Sequence, residues 1–174
     1  MVSSPEQHQA IADPELSMPI AYIALGANLP SRAGSPVHTF DAAIARLAEL
    51  GQVRAVSRYY NTAPVGYADQ PTFLNAAAAL ETELAPVALL DRLLAIERDF
   101  GRDRSHGIAN GPRTLDLDLI LYGDMVLDTP NLQLPHPRMH QRAFVLDPLC
   151  EIASEVIHPI FNKTVSQLRN DLSQ

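Results

Sequence analysis

The chain has 174 residues, 47% of them hydrophobic, enough for one domain with a buried core. Its formal charge of −7 argues against a general nucleic-acid surface, and no apolar run reaches the length of a membrane span. The lone cysteine, Cys150, excludes an intrachain disulfide and reads as a buried small hydrophobe in a reducing compartment. Residues 1–18 are polar, Pro-containing and aperiodic, which predicts a disordered tail ahead of a single domain over 19–174. That opening has neither the basic start nor the apolar core of a signal peptide, so the expectation is a soluble, cytoplasmic protein.

"PIAYIALGAN" (19–28) predicts a buried strand. "SPVHTFDAAIARLAELG" predicts a helix with Ser35 as N-cap, Pro36 in the first turn and Gly51 past its end; Val37, Phe40, Ile44 and Leu47 share its apolar face. "QVRAVSRYYNT" (52–62) alternates and predicts one strand, and 63–71 is a loop dense in turn formers. Residues 72–84 are ambiguous, because four consecutive alanines favour helix. The alternation of Phe73 and Asn75 with Leu74 and Ala76 favours strand. A Pro-started, Gly-ended helix follows over 86–101, then a polar loop over 102–112 of the kind that moves or binds. The acidic strand comes next, with a turn at Gly123-Asp124 and a short return strand near 125–128. Residues 142–153 and 164–172 predict two further helices. The order β-α-β-β-α-β predicts an α+β, ferredoxin-like sandwich with C-terminal helical additions.

"GPRTLDLDLILYGD" (111–124) carries the chemistry. In an extended chain Leu115, Leu117, Leu119 and Leu121 line one face, while Asp116, Asp118, Ile120 and Tyr122 line the other. Two carboxylates so placed repel unless water and salt, an arginine or a metal sits between them. Two aspartates at i, i+2 can chelate Mg²⁺ with waters and phosphate oxygens, or can simply be the polar outer face of a half-exposed sheet. The neighbourhood favours the former. An Arg-rich loop precedes the strand, and His136, Arg138, His140 and Arg142 follow it. His136 and His140 are spaced for zinc on a helix, but Pro135 and Pro137 argue against a helix there. Phe73 and Asn75 share a face, a pairing that suits a flat, hydrogen-bonding heterocycle or, equally, a core Phe with a capping Asn. Neither glycine-rich nucleotide fingerprint is present, so side chains would have to grip any phosphates.

"AYIALGANL", "NTAPVGYADQPTFLNAA", "GPRTLDLDLILYGD" and "LPHPRMHQRAFVLDPLCEIA" together resemble the 6-hydroxymethyl-7,8-dihydropterin pyrophosphokinase family of folate biosynthesis, over about residues 19–160. The resemblance implies transfer of the β,γ-diphosphoryl group of ATP to the pterin hydroxymethyl with release of AMP, a ferredoxin-like core and two Mg²⁺ ions. It implies that Asp116 and Asp118 ligate both ions. Thr62, Val65, Phe73, Asn75 and Phe144 would form the pterin pocket, with Phe73 and Phe144 sandwiching the ring. Glu97, Arg102, Arg104, Arg113, Leu117, Leu119, His136 and Arg142 would serve ATP. The arginines and histidine would hold phosphates, and Leu117 and Leu119 would lie near adenine through backbone groups. Arg102 and Arg104 would act catalytically with the two aspartates, closing over the phosphates. Asn110 stands where many members carry Trp, Ala63 where a Pro is common, and Pro137 where some place Tyr. The expected partners are small molecules only, bound by a monomer with no nucleic acid and no membrane. The competing readings are a ligand-sensing module on the same fold, a single-strand nucleic-acid binder and another Mg²⁺-dependent phosphoryl or nucleotidyl transferase. Net charge and the paired aspartates argue against the second.

Overall fold

Strands and helices follow in the predicted order. The computed structural model describes residues 18–66, 69–102 and 111–173; the predicted tail up to residue 17, Arg104 and Asn110 lie outside the described residues. β1 (Ile20–Ala27), α1 (Pro36–Leu47), β2 (Gln52–Val56), β3 (Tyr60–Thr62), β4 (Phe73–Glu81), α2 (Pro86–Asp99) and β5 (Asp116–Tyr122) make the core. The small hairpin β6 (Leu127–Asp128) and β7 (Gln133–Leu134) follows, then α3 (Ala143–Ala153) and α4 (Val165–Leu172). The antiparallel sheet runs β2-β4-β1-β5, with β3 also on β4. This is the ferredoxin-like order that the sequence predicts, with β5 on the edge.

Each sheet face carries its own core. Phe40, Leu47, Leu89, Leu93 and Ile96 from α1 and α2 pack on Ile23, Leu25, Leu117 and Leu119. Phe40 is fully buried and meets Tyr59 edge to face at 5.2 Å, so truncating it to Ala would cost about 3–5 kcal/mol. On the opposite face, α3 and α4 bury Val145, Leu146, Leu149 and Leu168 against Ala77, Ile120 and Leu121. The C-terminal helices therefore cover part of the face to which the aspartates point. β4 is packed from both sides, and its Ala76–Ala79 run is almost wholly buried. Burial on two faces overrides the helical preference of alanine there.

Several expectations are corrected. Residues 52–62 are two strands. Val56 pairs with Ala78 and Tyr60 with Asn75, four steps against three, so the chain bulges between them. Ser57 bridges the bulge, its N–H donating to Ala77 O and its hydroxyl accepting from Ala77 N, both at 2.9 Å. β5 bulges too. Tyr22 pairs with Leu121 but Ile23 with Leu119, which leaves Ile120 as an extra residue and inverts the alternation beyond it. Leu121 thus joins the α3 side and Tyr122 the α1–α2 side, the reverse of the predicted faces. Val37 is 45% exposed, and Thr39 and Ala43 are buried in its stead. Ser35 occupies the N-cap position, but its hydroxyl pairs with His38 Nδ1 at 3.0 Å rather than with the helix end. Gly51 is needed because a Cβ there would lie 2.1 Å from the Glu81 carbonyl oxygen. Cys150 is half-buried, with its thiol near Val165 O at 3.8 Å.

Candidate active site

Register across the sheet builds the floor of the site. Gly26 on β1 lies opposite Asn75 on β4 and opposite Asp116 on β5; two residues back, Ala24 lies opposite Ala77 and Asp118. A Cβ at Gly26 would stand 3.4 Å from Asn75 Oδ1 and 3.8 Å from Asp116 Cβ. Glycine there keeps a gap between an amide and a carboxylate. The cleft above encloses about 240 Å³ and is bounded by Thr62, Val65, Phe73, Arg113, His136, Arg142 and Phe144, together with Asn75, Asp116 and Asp118.

At one end, Asn75 Nδ2 donates to Thr62 Oγ1 at 2.5 Å, which fixes the amide. Phe73 and Phe144 present rings to the same cleft. Each carries a guanidinium: Arg113 sits 5.7 Å from the centroid of Phe73, and Arg142 sits 5.6 Å from that of Phe144. Arg113 also donates through Nη1 to Asp116 Oδ2 at 3.0 Å and through Nε to Gly111 O at 3.1 Å. The arginines thus join the aromatic end of the cleft to its acidic end. Burial lowers Arg142 from its usual range, with Asp118 and Asp116 acting in the opposite direction.

His136 stands at the junction with a second cleft. Its backbone N–H donates at 2.9 Å to the carbonyl of Ile120, the extra residue of the β5 bulge. The bulge therefore aims this histidine. Burial, then the charge of Arg142 and, more weakly, of Arg138, pushes His136 down to about 4 against the pull of Asp116. The ring is neutral near pH 7. Its Nδ1 accepts from Arg138 N at 3.2 Å, so the proton lies on Nε2, which is a donor. The second cleft, about 300 Å³, shares Asp118 and His136 with the first and is lined by Leu90, Leu94, Leu117, Leu119 and Leu132. Leu117 and Leu119 belong to the edge strand; Leu117 N donates outward, at 2.7 Å, to Glu97 Oε2. In antiparallel pairing Leu119 has the same parity, so its backbone groups face the same open edge.

These observations converge with likeness to known proteins. The model of the 7,8-dihydro-6-hydroxymethylpterin-pyrophosphokinase (HPPK) family matches residues 22–154. A 2-amino-4-hydroxy-6-hydroxymethyldihydropteridine pyrophosphokinase of Haemophilus influenzae is 45% identical over 141 residues, 80% of this chain and 84% of the relative. One from Pseudomonas aeruginosa is 47% identical over 140 residues, covering 79% of this chain and 83% of its own. The chain belongs to the HPPK family. Its fold is that of a solved Plasmodium falciparum HPPK-DHPS, with a TM-score of 0.69 at 16% identity over 91% of this chain. It spans less than half of that longer protein, 45%.

Of the residues expected in the site of this pyrophosphokinase, the five assigned to the pterin line the first cleft, together with Arg113, Asp116, Asp118, His136 and Arg142. Leu117 and Leu119 line the second. Glu97 lines neither; it is 1% exposed and braces β5 from behind. Arg102 lines neither as well. It follows the turn that ends α2, where Gly101 N donates to Arg98 O at 2.9 Å and Arg102 N to Glu97 O at 3.0 Å. Gly101 supplies the φ of +89° which that turn requires. The sequence reading missed Gly26, Leu90 and Leu94. The helical spacing of the two leucines marks them only as a face, and the partner of that face becomes visible once β5 is placed beside α2.

Proposed function

We propose that the two adjoining clefts transfer diphosphate from ATP to the hydroxymethyl group of 6-hydroxymethyl-7,8-dihydropterin, a step of folate biosynthesis, as an Mg²⁺-dependent pyrophosphokinase. The observation that carries this reading is the shared wall. Asp118 and His136 border both clefts, so a polyphosphate lying across that wall joins a nucleotide on one side to a pterin on the other. The pterin stacks between Phe73 and Phe144 with its edge on Asn75. The nucleotide base lies against Leu117 and Leu119, where the edge-strand backbone offers hydrogen bonds.

The pterin hydroxyl oxygen bonds to the β-phosphorus and gives its proton to solvent, the bond from that phosphorus to the α–β bridging oxygen breaks, and AMP leaves with the bridging oxygen on its α-phosphate. Asp116 and Asp118 suit magnesium, which binds through one or two carboxylates plus substrate phosphates; no cluster of three or more metal-ligating side chains occurs among the described residues. Asp116 and Asp118 would hold two such ions, which would supply charge neutralisation and a more acidic pterin hydroxyl. Arg113 and Arg142 grip phosphate oxygens, Arg102 approaches from the end of α2, and His136 donates through Nε2. His136 is no general base, because Nδ1 is already bonded and Nε2 holds the proton. Catalysis by this chain is positioning and charge stabilisation.

We propose that the enzyme acts as a cytosolic monomer without nucleic acid. No helix among the described residues is long and apolar enough to cross a membrane. The test is product analysis with ATP, Mg²⁺ and the hydroxymethyldihydropterin. AMP and the pterin diphosphate are expected; formation of ADP would contradict the reading.

A further inference from the structure

Glu151 lines neither cleft, yet its carboxylate fastens the helix that carries Phe144 to the strand that fixes Asn75. It stands on α3 seven positions after Phe144. Seven residues are close to two helical turns, so the two side chains share a face, about 10 Å apart along the axis. Glu151 Oε2 accepts from the backbone N–H of Arg58 at 2.5 Å. Its Oε1 accepts from Arg58 Nε at 2.5 Å and from the Tyr60 hydroxyl at 3.2 Å. Arg58 lies in the bulge between β2 and β3, which takes its N–H out of the ladder. The Ser57 hydroxyl holds the same residue from the other side, donating to Arg58 O at 2.7 Å. An exposed ion pair alone contributes little, and 80% of the Arg58 side chain is exposed. The main-chain bond gives this pair a fixed geometry.

From the bulge the chain runs straight into the site. Tyr60 and Thr62 share one face of β3 and lie opposite Asn75 and Phe73. Thr62 in turn accepts from the Asn75 amide. One carboxylate thus joins the helix bearing one ring of the cleft to the strands bearing the other ring and the amide. Burial of Val145, Leu146 and Leu149 keeps α3 on the sheet, but apolar burial is non-directional. The bonds of Glu151 set where the helix stops along its axis and how far it turns.

Resting on the function proposed above, we infer that Glu151 is a positioning residue for the pterin: by fastening α3 to the β2–β3 bulge, it sets the alignment of Phe144 with Phe73. Without that tie the helix slides or turns over the sheet, and the slot between the rings fits a flat heterocycle less well. The nucleotide side changes less. Arg142, at the start of α3, has an anchor of its own, its N–H donating to Met139 O at 3.3 Å.

The experiment measures kcat and the KM for 6-hydroxymethyl-7,8-dihydropterin and for ATP, from AMP release at saturating magnesium. Wild type, Glu151→Ala, Glu151→Gln, Tyr60→Phe, Phe144→Ala and the double variant Phe144→Ala/Glu151→Ala are compared, with thermal melts alongside. Glu151→Ala should raise the pterin KM about 5–10-fold, the net worth of one hydrogen bond, and change the ATP KM by less than about twofold. Glu151→Gln keeps an oxygen for Arg58 N–H and can turn its amide to the Tyr60 oxygen, so it should restore most of the pterin affinity. Tyr60→Phe removes only one of the three donors. It should raise the pterin KM by a smaller factor, which reads the tie even if Glu151→Ala folds poorly. In the Phe144→Ala background, adding Glu151→Ala should leave the pterin KM within about twofold, because the ring it positions is gone. An equal penalty in both backgrounds would overturn the inference. So would equal rises in both KM values with a lowered melting temperature, the mark of a merely structural role. Either result leaves the function standing, whereas absence of AMP release from the wild type would overturn both.

Discussion

Arg113 and Asp116, three residues apart, meet at 3.0 Å with 16% of each side chain exposed, at the point where the aromatic and acidic ends of the cleft join. The guanidinium reaches Asp116, the Gly111 carbonyl and the face of Phe73 at once. A lysine has one point charge and cannot repeat that fork. Arg113→Ala should therefore weaken nucleotide binding by about 10–100-fold, the worth of one charge-assisted hydrogen bond, and Arg113→Lys should recover little of it. Equal nucleotide affinity for wild type and Arg113→Lys, measured by calorimetry, would count against the fork.

Gly26 tests the floor of the cleft. Its backbone is ordinary strand, so a β-branched residue fits the ladder, but the side chain would fill the space between Asn75 and Asp116. Gly26→Val should raise the pterin KM by at least about tenfold, near 1.4 kcal/mol, with a small change in melting temperature. An unaltered pterin KM would show that the ring does not lie over Gly26.

His136 predicts an acid limb of stability. It titrates near 4 in the folded protein against an ordinary 6.5. Between those values the unfolded chain binds a proton that the folded chain refuses. The stabilisation is complete above about pH 6.5 and is lost as pH falls toward 4, amounting to about 3 kcal/mol at most. Denaturant melts across that window should steepen with acid for the wild type and flatten for His136→Gln. Parallel curves would refute the assignment.

Gly101 holds the exit of α2 at φ +89°. Gly101→Ala should cost about 1 kcal/mol and lower the melting temperature by about 2–4 °C. Because the same turn delivers Arg102, kcat should fall while the affinity for pterin alone stays constant. A change in pterin affinity without a change in kcat would place Arg102 away from the reaction.

Much of this was legible because the local signals and the tertiary fold agree. The alternation of Asp116 and Asp118 with Leu117 and Leu119 holds in the structure, and the order of strands and helices yields the sheet topology. The misreadings fall where the backbone departs from its period. One extra residue at Ile120 swaps the faces of Leu121 and Tyr122, and nothing in "LDLILY" announces it. Ser57 splits a strand that alternates well on paper, because its hydroxyl stands in for a ladder partner. Gly51 resembles a helix stop, while the crowding that demands it comes from Glu81, thirty positions on. Asn28 was unreadable for a related reason: the three groups that its side chain bonds, on Gln70, Pro71 and Arg113, lie on segments that only the folded chain brings together.

The paired carboxylates remain the centre of the account. AMP release by Asp118→Asn at saturating magnesium, set beside the wild type, tests them most directly. Loss of several kcal/mol of charge stabilisation predicts a fall of about a thousandfold, with the thermal melt nearly unchanged. Retention of the wild-type rate, with its dependence on magnesium intact, would contradict the assignment of Asp118 to the metal.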